Sequence, residues 1–153
     1  MDVIFLDFDG VLNTRRFRAA QSGMIDEKHM TFLRRIVDAT GARVVLSTSW
    51  RIHWDVSPEK LSETGWEIDR IFGKYGIEII GKISEGLDRA QEIRHWLDCH
   101  PDVGQYVILD DSPFGWGELA EHLVRTGGLQ DGLDNRTAET DIAVINGRIN
   151  SHT

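Results

Sequence analysis

Asp7 and Asp9 carry the strongest chemical signal in the chain. They stand one residue apart at the end of the apolar run Val3-Ile4-Phe5-Leu6, and Gly10-Val11-Leu12-Asn13 follows them. Four consecutive apolar residues are what a strand buried on both faces requires, and a fold does not need two acids at its end. Side chains alternate faces along a strand, so continued extension projects both carboxylates the same way. Two like charges about 4 Å apart repel by roughly 4 kcal/mol at an effective dielectric of 20. A hard divalent cation with oxygen ligands is the simplest group to offset that repulsion, and carboxylates with a metal suit phosphoryl chemistry.

Two further apolar runs end the same way. Arg43-Val44-Val45-Leu46 stops at Ser47-Thr48-Ser49, and Tyr106-Val107-Ile108-Leu109 stops at Asp110-Asp111-Ser112. Helical patterns separate the runs. Asp26 is placed to cap a helix carrying Met30, Leu33, Ile36 and Val37, which Gly41 ends. Ser57-Pro58 predicts a second helix start, with a break near Gly65 and with Ile68, Ile71 and Phe72 inside before Gly76. Ile77 to Ile80 reads as a short strand. A helix from about Leu87 is expected to bury Leu87, Ala90, Ile93 and Leu97 and to stop at His100-Pro101. Glu118 to His122 reads as helical, Leu123 to Arg125 as a small strand, and Thr137 to Ile145 as a last helix. This alternation predicts the α/β class, with a mostly parallel sheet and helices on both faces. Ligands bind beyond the carboxyl ends of such strands. If the strands are neighbours, the three polar clusters meet.

The chain of 153 residues, 41% apolar with three prolines, is expected to form one domain over 1–153 with a real core. Its one cysteine, Cys99, rules out an internal disulfide and fits a reducing compartment. Met1-Asp2 precedes no basic segment and no apolar run reaches membrane-spanning length, so a soluble, cytoplasmic protein without membrane partners is expected. A net charge of −8 argues against a generally basic surface for nucleic acid. Arg15, Arg16 and Arg18 form the densest positive cluster and leave room for a local groove.

Taken together, these motifs resemble the haloacid dehalogenase superfamily. Its phosphatases carry Asp-x-Asp-Gly after the first strand, a Ser or Thr after the second, a Lys or Arg near the start of a later helix, and an acidic pair after a further strand. The resemblance spans about Asp2 to Pro113. The fuller wording Leu46-Ser47-Thr48-Ser49-Trp50-Arg51 with Leu109-Asp110-Asp111-Ser112-Pro113 is similar to a small capless branch associated with RNA-repair-type domain architectures. It implies a Rossmann-like three-layer α/β/α sandwich with no large cap, and a Mg²⁺-dependent phosphomonoester hydrolase working through an aspartyl-phosphate.

By that resemblance Asp7 is the nucleophile and a metal ligand. Asp9 is the general acid and base and lends its backbone carbonyl to the metal. Asp111 is the third protein ligand, and Asp110 stands beside it orienting a cation, with a swap of the two roles left open. Ser47, or Thr48 one residue of register away, hydrogen-bonds a phosphoryl oxygen. Arg89 supplies the cation, with Lys82 as competitor. Gly10, Thr48, Arg51 and Arg15 are the expected substrate contacts. Trp50, Arg51, His53 and Trp54 follow the second cluster and could line the mouth, where aromatics beside arginine stack on bases. Simple packing is the expectation for Trp54 and Trp96, whereas Trp116, just past Pro113, is the better candidate for substrate contact. His29, His53, His95, His100, His122 and His152 make no metal spacing, and Cys99 is expected to be partly buried.

Thr14 to Ile25 gives room for a flap, and Arg51 to Lys82 reads as one or two helices. The site should therefore be open and suited to a phosphate on something large, such as a polynucleotide end. The alternatives are a small-molecule phosphatase or nucleotidase closed by an oligomeric partner, and a phosphate-binding regulatory module without turnover.

Overall fold

Fourteen elements succeed one another in a computed structural model that describes residues 1–20, 23–84 and 86–147. They run β1 (Val3–Leu6), α1 (Arg15–Ala20), α2 (Glu27–Thr40), β2 (Arg43–Leu46), 3-10 turns at Ser49–His53 and Pro58–Lys60, α3 (Glu63–Lys74), β3 (Ile79–Lys82), α4 (Arg89–Asp98), β4 (Tyr106–Asp110), a 3-10 helix at Gly117–His122, β5 (Leu123–Arg125), α5 (Gly128–Asp131) and α6 (Asn135–Ile145). The five strands form one parallel sheet in the order β3-β2-β1-β4-β5. The chain leaves β1 for β2 on one side and returns to β4 on the other, which puts the reversal of strand order beside β1.

Strand parity sorts the core into two layers. Ile4, Leu6, Val44, Leu46, Val107 and Leu109 face one way, onto Met30, Leu33 and Ile36 of α2, Ile68, Ile71 and Phe72 of α3, and Ala138, Val144 and Ile145 of α6. Val3, Phe5, Val45 and Ile108 face the other way, onto Ala90, Ile93 and Trp96 of α4 and onto Trp116 and Leu119. The result is a three-layer Rossmann-like α/β/α sandwich without a large cap. All four β1 side chains are fully buried, each contributing up to about 1.5–3 kcal/mol of hydrophobic stabilisation. Asp141, also fully buried on α6, has neither carboxylate oxygen partnered among the described residues, and burial pushes its carboxyl well above the ordinary range.

Local signals account for most boundaries. The Asp26 carboxylate accepts from the Lys28 N–H at the start of α2, and Gly41 ends that helix with φ 71°, a left-handed conformation that costs glycine nothing. Other expectations fail for tertiary reasons. Ser57-Pro58 opens only a single 3-10 turn, and α3 starts later at a Ser62 cap. It then runs unbroken through Gly65, a glycine set against the His53 carbonyl, where any Cβ would collide. The edge strand is shifted to Ile79–Lys82, with Ile77 buried ahead of it. Asp88 caps α4, which leaves Leu87 outside the helix and 54% exposed instead of buried. The expected helical stretch at Glu118 to His122 is present, as a 3-10 helix over Gly117–His122. Cys99 is exposed. No helix among the described residues is long and apolar enough to cross a membrane.

Candidate active site

Register brings the three polar clusters together. Leu6 pairs with Leu46 on one side and Leu109 on the other, so Asp7, Ser47 and Asp110 emerge at one level of the sheet edge. The Asp7 N–H donates to the Leu109 carbonyl at 3.1 Å, and the Ser47 N–H to the Leu6 carbonyl at 2.9 Å. Asp7, Ser47 and Asp110 continue the parity of Phe5, Val45 and Ile108, so they share the face that α4 covers. Arg89, the first residue of α4, reaches into it. Its Nη1 lies 3.3 Å from Asp110 Oδ2 and 3.8 Å from Asp7 Oδ2.

Asp7, Asp110 and Asp111 offer one carboxylate oxygen each within 4.8 Å of one another. Asp111 joins them because β4 ends at Asp110 and the backbone bends there. The all-oxygen donor set suits a hard divalent cation. Electrostatics agree with that fit. Burial, then the charge of Asp110, pushes the Asp7 carboxyl up to about 7, against the pull of Arg89 and of the Phe8 N–H. Asp110 is also raised, by burial first. A cation among these oxygens would relieve the repulsion and hold them ionised.

Asp9 does not pair with Asp7 as strand alternation predicts. Extension ends at Leu6, and the Val11 and Leu12 N–H groups fold back onto the Phe8 carbonyl. The Asp9 carboxylate points to the other side, where Oδ1 accepts from Asn13 Nδ2 at 3.0 Å and Trp50 Nε1 at 3.3 Å and lies 3.7 Å from Arg18 Nη1. Asn13 is fully buried and also donates to the Met24 carbonyl at 2.7 Å, which ties Asp9 to the end of the flap.

Gly10 has φ 78°, and its Cα lies against the Asp111 carboxylate, so a side chain there would displace a cluster acid. Its N–H is engaged by Asn13 Oδ1 and its carbonyl by Thr126 Oγ1, so neither faces a substrate. Ser47 Oγ is buried and unpartnered among the described residues, whereas the Thr48 hydroxyl accepts from the Trp50 N–H as a cap. Register thus turns Ser47 toward Asp7 and Thr48 away.

The structure does not bring Arg51 to the site. Its guanidinium is buried in an ion pair with Glu92 of α4 at 2.8 Å and donates to the Thr48 and Ser84 carbonyls. Lys82 is likewise taken, its Nζ donating to the Arg51 and Trp54 carbonyls. Trp116 is buried with Nε1 on the Ser112 carbonyl and packs in the α4 layer, while also lining the cavity that holds Asp7 and Arg89. Trp54 and Trp96 are buried too, as expected, and only Trp50 of the early aromatics reaches an active-site acid. His53 faces Ser62, and His152 lies outside the described residues.

Two residues passed over in the sequence stand near the acids. Phe114, 82% exposed, lines the cavity holding Asp7, Arg89 and Asp110, and its setting between Pro113 and Gly115 was the available sign of an outward-turned aromatic. Arg125, at the end of β5, donates through Nε to the Asp111 carbonyl at 3.1 Å. Arg15 lines a cavity with it beside Asp111.

A family model described as the HAD domain in Swiss Army Knife RNA repair proteins matches residues 3–138. No curated protein gives a significant match.

Proposed function

The chain belongs to the family of HAD domains in Swiss Army Knife RNA repair proteins, and from that premise we propose that it is a Mg²⁺-dependent phosphomonoester hydrolase acting on phosphorylated nucleic-acid ends. The observation that carries the reading is the Asp7, Asp110 and Asp111 oxygen cluster with the Arg89 guanidinium against it. Asp7 and Asp111, with the Asp9 carbonyl, would hold the cation, which supplies charge neutralisation at the phosphoryl oxygens.

Asp7 is the nucleophile. Its Oδ–P bond forms as the ester P–O bond breaks, and Asp9 gives its proton to the departing oxygen. Asp9, now ionised, then takes a proton from the water that attacks phosphorus, and the P–Oδ bond breaks to release inorganic phosphate. The Asn13, Trp50 and Arg18 contacts all fall on Asp9 Oδ1, which leaves Oδ2 to carry that proton. The unpartnered Ser47 Oγ is free to donate to a phosphoryl oxygen, and Arg89 balances charge on the transferring group. Asp110 keeps Arg89 aimed at Asp7. With only α1 between Asn13 and α2, nothing the size of a domain encloses the acids, which suits a phosphate presented on a large molecule.

Release of phosphate from p-nitrophenyl phosphate tests the reading. Turnover is expected with Mg²⁺, and EDTA or Asp7→Asn should reduce it to background. Activity retained in the variant would exclude the aspartyl-phosphate route.

A further inference from the structure

Beside the acidic cluster, on the side away from α4, Arg15, Asp111, Arg125, Thr126, Gly128 and Gln130 line a cavity of about 650 Å³. Its lining carries two arginines and one carboxylate, with Asp131 beside Gly127 at its rim, against a net charge of −8 for the chain. Neither arginine is ion-paired with another described residue. Arg125 is nonetheless held in place. Its Nε donates to the Asp111 carbonyl, which leaves its terminal nitrogens without a hydrogen-bond partner among the described residues, at the border of this cavity and the one lined by Pro113 and Arg136. Arg15 comes from α1, which packs against α5, whose Gly128 and Gln130 line the same cavity. Asp111 belongs both to this cavity and to the one holding Asp7 and Arg89, so the two spaces adjoin across one side chain.

Forked, permanently charged donors converging on a pocket next to a phosphoryl-transfer centre match a second phosphate group. We propose that Arg15 and Arg125 form a subsite for a phosphate other than the one hydrolysed, so that the preferred substrate is a phosphomonoester carrying a second phosphate. This rests on the phosphatase reading and adds to it a selectivity that Asp7, Asp9 and Arg89 do not supply. The second phosphate can belong to a bisphosphorylated nucleoside or to the neighbouring backbone linkage of a polynucleotide. The recognition chemistry is the same for both.

The test compares kcat/KM for adenosine 3′,5′-bisphosphate with that for adenosine 3′- and 5′-monophosphates, in the wild type and in Arg15→Gln and Arg125→Gln. A bisphosphate preference of roughly tenfold or more is expected, as a charge-assisted pair at one phosphate provides. It should fall toward unity in each variant and shrink with rising salt. Taking the ratio within one protein cancels any loss common to both substrates. A 3′- or 5′-phosphorylated dinucleotide distinguishes the sources: preference for it over the bisphosphate identifies the backbone linkage, and the reverse a small bisphosphate. Turnover of p-nitrophenyl phosphate without any second-phosphate preference, or a preference that survives both substitutions, overturns the subsite alone. No turnover of any phosphomonoester with Mg²⁺ removes the phosphatase reading and the subsite together.

Discussion

At the scale of single residues, Asp7 is held where its charge is least welcome. Burial and Asp110 raise its carboxyl to about 7 in the metal-free protein, far above its unfolded value near 4. The folded state therefore keeps a proton that the unfolded state has lost across that interval. The stability linked to this proton is fully present below about pH 4 and is lost as pH rises through about 7. Asp7→Asn removes the charge and keeps the shape. With EDTA present, the variant should melt above the wild type at pH 7.5, and the gap should narrow as pH falls toward 4. Thermal melts across that range check it, and a variant less stable at pH 7.5 would contradict the electrostatic account. Asp7, Asp110 and Asp111 were legible in the sequence because apolar runs do not end in acids without cause. Arg51 was not. An arginine after a strand reads as a solvent or substrate contact, and the partner that buries it, Glu92, lies 41 residues away. The burial of Trp116 and the exposure of Phe114 were not legible for a similar reason: which aromatic turns inward depends on the α4 layer, which a local pattern does not contain.

At the scale of elements, the Arg51–Glu92 pair links the turn after β2 to α4, joining the segment that carries Ser47 to the helix that begins with Arg89. Its side chains are only 9% and 4% exposed, so solvent screens the pair little. Removing one partner strands a buried charge, which costs about 3–5 kcal/mol. Glu92→Ala should lower unfolding free energy by that amount in urea, and Arg51→Met combined with Glu92→Leu should recover much of it. A loss under about 1 kcal/mol, typical of exposed pairs, would mean the link is not structural. The strands and the start of α2 were readable because Asp26 acts within one turn of chain, whereas the Asp88 cap of α4 was passed over and Leu87 was placed inside that helix. The start of α3 was not, since Pro58 favours a first turn equally in a 3-10 segment and an α-helix. The glycine within α3 answers to a carbonyl of another element, His53, which leaves no room for a side chain at that position.

At the scale of the whole molecule, the −8 charge and the acidic strand ends make cation binding a stability question as well as a catalytic one. A ligand that binds only the folded state at a hundred times its Kd adds about 2.7 kcal/mol. For a chain of this size that corresponds to a rise of roughly 5–10 °C in Tm. Generic screening of the net charge would also raise Tm, so NaCl of matched ionic strength is the necessary control. Millimolar Mg²⁺ should exceed that control in the wild type, EDTA should reverse the gain, and Asp111→Asn should lose most of it. The choice of Asp111 matters, because its carboxylate fills the space against Gly10 and an asparagine keeps that packing while removing the charge. If Mg²⁺ and NaCl act alike on the wild type, the three acids are not a metal centre, and the burial and repulsion that raise Asp7 must be met by protonation and Arg89 alone.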